Sequence, residues 1–142
     1  MKVPEITRLL RPMLSKFAHY IWAILWGTLM LILMGLPSDD MPGVSFFEGF
    51  DKMAHCGFFF VFTNLLLLGA TQAGKNRPSK IRSLLIAFFI ASLFAFGTEG
   101  LQMAMAAGRH PDWWDIFADY TGVGMALFGY LLFHRKPSFS LS

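Results

Sequence analysis

Four apolar blocks, at about 20–36, 54–70, 83–106 and 116–133, dominate this chain, and most of its charged residues fall between them. Each block comes close to the ~20 residues a helix needs to cross the hydrocarbon of a bilayer. Backbone amides in lipid have no water to bond, so a run of this length satisfies them internally as a helix. The balance of the whole chain agrees, with 55% hydrophobic residues, 16% aromatic and only 15% charged. The expected fold is therefore all-α, an integral membrane four-helix bundle made by one domain over residues 1–142. Lys2, Arg8, Arg11 and Lys16 precede the first block as the basic region of a signal peptide would. That block, however, exceeds the ~7–15 apolar residues of such a peptide, and Met34, Gly35, Leu36 and Pro37 offer no small-x-small cleavage site, so it is expected to stay as a helix. Cys56 is the single cysteine, which leaves no internal disulfide framework.

The basic residues set the expected orientation. Lys2, Arg8, Arg11 and Lys16 lie before the first block, Lys75, Arg77, Lys80 and Arg82 between the second and third, and Arg135 and Lys136 after the fourth. Segments rich in Lys and Arg stay in the cytoplasm, so both termini are expected there. The two remaining connections hold Asp39, Asp40, Glu48, Asp51 and Lys52, then Arg109, Asp112 and Asp115, and face outward. On this reading the net charge of +3 reports orientation and an attraction to anionic lipid, and gives no support to nucleic acid as a partner.

Breakers mark the block ends: Pro37 after the first, Gly74 to Pro78 after the second, and Gly108 to Pro111 after the third. Ser79 leads into the third helix and Asp112 is placed to cap the fourth. The tail, residues 137–142, is expected to be disordered. Asp51 and His55, four apart, share a face at the outer start of the second helix, and Glu99 and Gln102, three apart, do so near the outer end of the third. Asp112, Asp115 and Asp119 form an acidic stripe running inward along the fourth. At about 1.5 Å per residue, His55, Glu99 and Asp119 fall within two turns of the outer surface. Facing lipid would be costly, so these groups are expected to converge inside the bundle as a functional site.

The ordered set Asp51-Lys52-x-x-His55, Glu99-x-x-Gln102, Gly108-Arg109, Asp115 and the run Asp119 to Gly124 resembles the VanZ-like family of small bacterial membrane proteins, over about residues 50–133. The resemblance implies a place in the cytoplasmic membrane of a bacterium and a role in the cell envelope, in a family associated with teicoplanin resistance. The chain departs from the family's pattern at Asp119, where Asn is usual, and in the His110-Pro111 pair after Arg109. The extra carboxylate next to Glu99 and Asp115 calls for a shared proton, a basic neighbour such as Lys52 or Arg109, or a metal ion.

Three readings of the cluster follow. It is a structural network that fixes helix packing, a binding site or a catalytic one. As a catalytic site, His55 and Glu99 would serve as base and acid with Asp51 orienting the imidazole, while Arg109 would stabilise developing negative charge. Lys52, Gln102, Arg109, Asp115 and Asp119 would bind the substrate, a lipid-linked or cell-wall precursor met at the outer leaflet. If a divalent cation is the cofactor, His55, Glu99, Asp115 and Asp119 are its candidate ligands, an oxygen-rich set suited to Mg, Mn or Ca. Membrane lipid is the surrounding partner in every case. Trp113 and Trp114 read as interfacial belt residues, as do Trp22 and Trp26 if they sit toward a boundary, and Gly122, Gly124, Ala126 and Gly129 as close helix contacts.

Overall fold

The computed structural model describes residues 17–35, 49–72, 78–105 and 112–133, and among these the chain is helical with no strand. The helices are α1 (Ile21–Gly35), α2 (Phe50–Gln72), α3 (Lys80–Met105) and α4 (Trp113–Phe133). Each overlaps one apolar block, but α2, α3 and α4 begin about one turn earlier than hydropathy alone places them. The first turns of α2 and α4 hold Asp51, Lys52, Trp113, Trp114 and Asp115, polar or amphipathic residues that helical backbone accommodates at a boundary. Ser79 caps α3, its Oγ accepting from the Arg82 N–H at 3.3 Å. Asp112 caps α4, its Oδ1 accepting from the Trp114 N–H at 2.9 Å. The N-terminal and C-terminal basic segments, Lys75, Arg77, Arg109, and the tail at 137–142 lie outside the described residues.

By length and composition α2, α3 and α4 are each able to cross a membrane. The shorter α1, at 15 residues, spans only about 22 Å against the ~30 Å of bilayer hydrocarbon.

The packing is that of helices meeting through small residues. On α3 the buried face is Ser83, Ala87, Ala91, Ala95, Thr98, Glu99 and Gln102, while Phe89, Leu93 and Phe96 point outward. The outer surface carries further large apolar side chains, among them Ile81, Phe117, Phe128 and Leu132. Water would not tolerate such a continuous apolar coat, whereas lipid does. Phe59, Phe62 and Phe94 fill the centre with mutual edge and tilted ring contacts. Trp26, expected in an interfacial belt, instead is half-buried within the bundle, where its indole N–H donates to the Phe58 carbonyl at 3.1 Å. Trp22, Trp113 and Trp114 are exposed.

Helix α2 contacts all three others and packs most extensively on α4. Helices alternate in direction. Gln102 near the end of α3 donates to the Met34 carbonyl near the end of α1, and Lys52 at the start of α2 meets Asp115 at the start of α4. At the opposite end Lys80, opening α3, donates to the Leu131 carbonyl near the end of α4.

The tightest approach is between α2 and α4 at Gly122. A Cβ there would overlap the Cys56 carbonyl oxygen and stand 2.9 Å from the Phe60 nitrogen, both backbone atoms of a helix that cannot yield locally. Gly69 makes a second such contact, with the His19 carbonyl and the Tyr20 ring. Gly122→Ala is therefore expected to destabilise the fold by about 1–3 kcal/mol or more, the range of overpacking substitutions. Gly57→Ala, at a helical position with open space around it, should shift stability by less than about 1 kcal/mol, in the stabilising direction. Thermal unfolding in one detergent compares the two, and equal effects would remove the close contact from the account.

Candidate functional site

The alternating helix directions bring the starts of α2 and α4 and the ends of α1 and α3 to one end of the bundle, and the titratable residues gather there. The positive dipole ends of α2 and α4 meet carboxylates, with Asp51 in the first turn of one and Asp115 in the first turn of the other. Lys52 bridges the two elements, its Nζ lying 2.6 Å from Asp112 Oδ2 and 2.8 Å from Asp115 Oδ1. Lys52 and Asp112 are partly open to solvent, whereas Asp115 is buried. Beneath this bridge, His55 Nδ1 and Asp119 Oδ1 lie 2.9 Å apart, with only 4% and 2% of their side chains exposed. On the α3 side, Glu99 Oε1 accepts from the Asp112 N–H at 3.0 Å, so a carboxylate from one helix ties down the start of another.

The arrangement has a local cause. His55 is the residue before Cys56, whose carbonyl abuts Gly122, and Asp119 precedes Gly122 by three residues, nearly one turn. The close approach of α2 and α4 therefore brings the imidazole to the carboxylate. Asp119 holds His55 through Nδ1, leaving Nε2 as the ring nitrogen available to another group. Asp51, expected to orient this imidazole, does not make that bond and is exposed on the same helix. It still belongs to the cluster, since Asp51, His55 and Asp115 each offer a ligand atom within 4.8 Å of the others.

Of the residues singled out from sequence, Lys52, His55, Asp115 and Asp119 meet directly across α2 and α4. Glu99 joins them through the backbone of Asp112, and buried Gln102 bonds the end of α1. Arg109 lies outside the described residues. Asp112, read from the sequence only as a cap and as part of the stripe, also binds Lys52. Its position three residues before Asp115 was the signal for that role. No family model, curated protein or solved structure matches the chain.

Two outcomes test this geometry. Asp115 is a buried carboxylate that Lys52 neutralises, so Lys52→Met and Asp115→Asn should not add. In a double-mutant cycle followed by thermal unfolding, their coupling is expected at about 0.5–3 kcal/mol, and additive effects would remove the bridge. Lys52's hydrogen bond and then the Trp114 N–H hold the Asp112 carboxyl below the usual range. A depressed folded value supplies stability above about pH 4, the ordinary carboxylate range, that disappears as pH falls through the folded value. Asp112→Asn should therefore lose less thermal midpoint than the native chain between pH 5 and 3. A parallel fall in both would count against the Asp112 contribution.

Proposed function

We propose that this chain is a VanZ-like protein of the bacterial cell envelope. It spans the cytoplasmic membrane four times with both termini inside, and uses its polar end to bind or modify a lipid-linked or peptidoglycan-related molecule from the outer leaflet. The observation that carries the reading is the buried His55–Asp119 pair at 2.9 Å. A histidine held through Nδ1 by a carboxylate has a fixed ring and an oriented Nε2, the form in which imidazole serves as a general base or binds a phosphoryl group. Around it stand Asp51, Glu99, Asp112 and Asp115, with Lys52 as the cation facing them.

The membrane part of the proposal is supported by three helices of spanning length and by the apolar outer coat. For α1, helical residues 17–19 before the Tyr20 turn lengthen the apolar segment toward a span. Lys80 and Arg82, at the end of the bundle away from the cluster, and the basic segments of the sequence support a cytoplasmic placement for that end. The VanZ-like resemblance supplies the envelope role and the link to glycopeptide resistance.

A second reading has its own support. Lys52 is already matched to two carboxylates and Glu99 to a backbone N–H, the pattern of a network that locks helices together. On that reading the chain is a noncatalytic accessory protein of the envelope.

Native mass spectrometry of the detergent-purified chain and its His55→Ala variant separates them. The proposed function predicts a lipid-linked or phosphate-bearing adduct on the native chain that is absent from an equally folded variant. An adduct-free native chain, with a variant of much lower thermal midpoint, would select the structural network. Orientation is checked independently in a Cys56→Ala background with an impermeant maleimide on whole cells. Trp113→Cys should label from outside and Arg82→Cys only after permeabilisation, and the reverse pattern would invert the topology.

A further inference from the structure

We propose that Asp51, His55 and Asp115 form a binding site for a first-row divalent cation, Mn2+ or Zn2+, with Asp119 as the positioning residue behind the imidazole. The site requires neither the family resemblance nor the membrane orientation, because it follows from donor chemistry at the joint of α2 and α4.

One ligand atom from each of the three residues lies within 4.8 Å of one from each of the others. Two zinc–ligand bonds of about 2.0–2.2 Å reach about 4.4 Å at most, so the side chains draw together by up to about 0.4 Å when the ion binds. The donors do not come from a single flexible loop. Asp51 and His55 sit one turn apart on α2, and Asp115 in the first turn of α4. The Gly122 contact against Cys56 fixes the separation of those helices.

The second observation is the histidine itself. His55 is 3% exposed, and its Nδ1 is engaged by Asp119 at 2.9 Å. With Nδ1–H donated to Asp119 the neutral imidazole carries its lone pair on Nε2, the nitrogen that would take a metal. A carboxylate behind a metal-bound imidazole fixes the tautomer and raises the basicity of the ligand nitrogen, and histidine ligands are nearly always held in this way.

The carboxylates are placed to complete the set. Asp115 uses Oδ1 for Lys52, which leaves Oδ2 for a cation. Asp51 is exposed and has no hydrogen bond or ion pair among the described residues, so its side chain is free to close on the ion and provides the entry path from solvent. At this end the described carboxylates Asp51, Glu99, Asp112, Asp115 and Asp119 outnumber Lys52, and a dication offsets the excess. One imidazole and two carboxylates form a mixed donor set, accepted by Mn2+ and Zn2+, where an all-oxygen cage would select Ca2+ or Mg2+. Three protein ligands leave further coordination positions for water or a substrate oxygen.

The donor set differs from the one expected from sequence. Glu99 holds the Asp112 N–H and Asp119 holds His55, and the group whose ligand atoms lie within 4.8 Å of one another is Asp51, His55 and Asp115, so Asp51 takes their place.

The test uses the chelator-stripped, detergent-purified full chain, titrated calorimetrically with MnCl2 and with ZnCl2, and Mn2+ electron paramagnetic resonance to detect a bound nitrogen. The native chain should take up one ion with an imidazole nitrogen in its coordination sphere. Asp51→Asn should weaken binding at least tenfold while lowering the metal-free thermal midpoint only slightly, by the loss of one exposed charge at the start of α2. Asp119→Asn should fold and bind about tenfold to a hundredfold more weakly, the range for a partner behind a ligand. His55→Gln should lose the nitrogen signal, and if that variant does not fold, Asp51→Asn alone decides. Failure of the native chain to bind either ion, or native-like affinity in Asp51→Asn, would overturn the site.

Discussion

The backbone contact between Gly122 on α4 and the Cys56 carbonyl on α2 determines the geometry of the rest of the molecule. A side chain at Gly122 would separate the helices, and the groups one turn away would move with them. At the present separation His55 reaches Asp119 at 2.9 Å and Lys52 reaches Asp115 at 2.8 Å. In a medium without water, close packing of small residues takes the part that hydrophobic collapse plays in a soluble core. The stripe of Ala87, Ala91 and Ala95 on α3 applies the same principle on another face.

Polar groups at this end are stable because they occupy one another. A buried carboxylate without a partner destabilises a fold strongly, whereas paired charges with hydrogen bonds to spare are tolerated. Lys52 neutralises Asp115, Asp119 engages His55, and Glu99 binds the start of α4. The same matching accounts for a bundle that is locked and still leaves specific groups over. Asp51, His55 and Asp115 still bring one ligand atom each to within 4.8 Å of one another.

The sequence was informative about elements and depth, and silent about rotation. The four helices among the described residues were legible as apolar blocks. Their starts were not, because Asp51 and Lys52, or Trp113 to Asp115, lower hydropathy without breaking helical backbone. Residue spacing along each helix put His55, Glu99 and Asp119 at one level. Which side chain faces which depends on how far each helix is turned about its axis, and spacing within a helix does not contain that. Hence Asp51 was assigned the bond to the imidazole that Asp119 makes, and Lys52, expected either as a substrate contact or as the basic neighbour of the carboxylates, takes the second place, between Asp112 and Asp115. Likewise Trp26 carries no mark in the sequence that distinguishes a belt residue from one bonded to Phe58 inside the bundle.

The α2–α4 contact presents His55 as a carboxylate-held imidazole. Nitrogen-15 NMR of histidine-labelled protein in bilayers, with the signal assigned by its loss in His55→Gln, tests it most directly. The account predicts a slowly exchanging, strongly hydrogen-bonded Nδ1–H at His55 that disappears in Asp119→Ala and is displaced in Gly122→Ala. A His55 ring that exchanges freely with water, unaffected by either substitution, would contradict it.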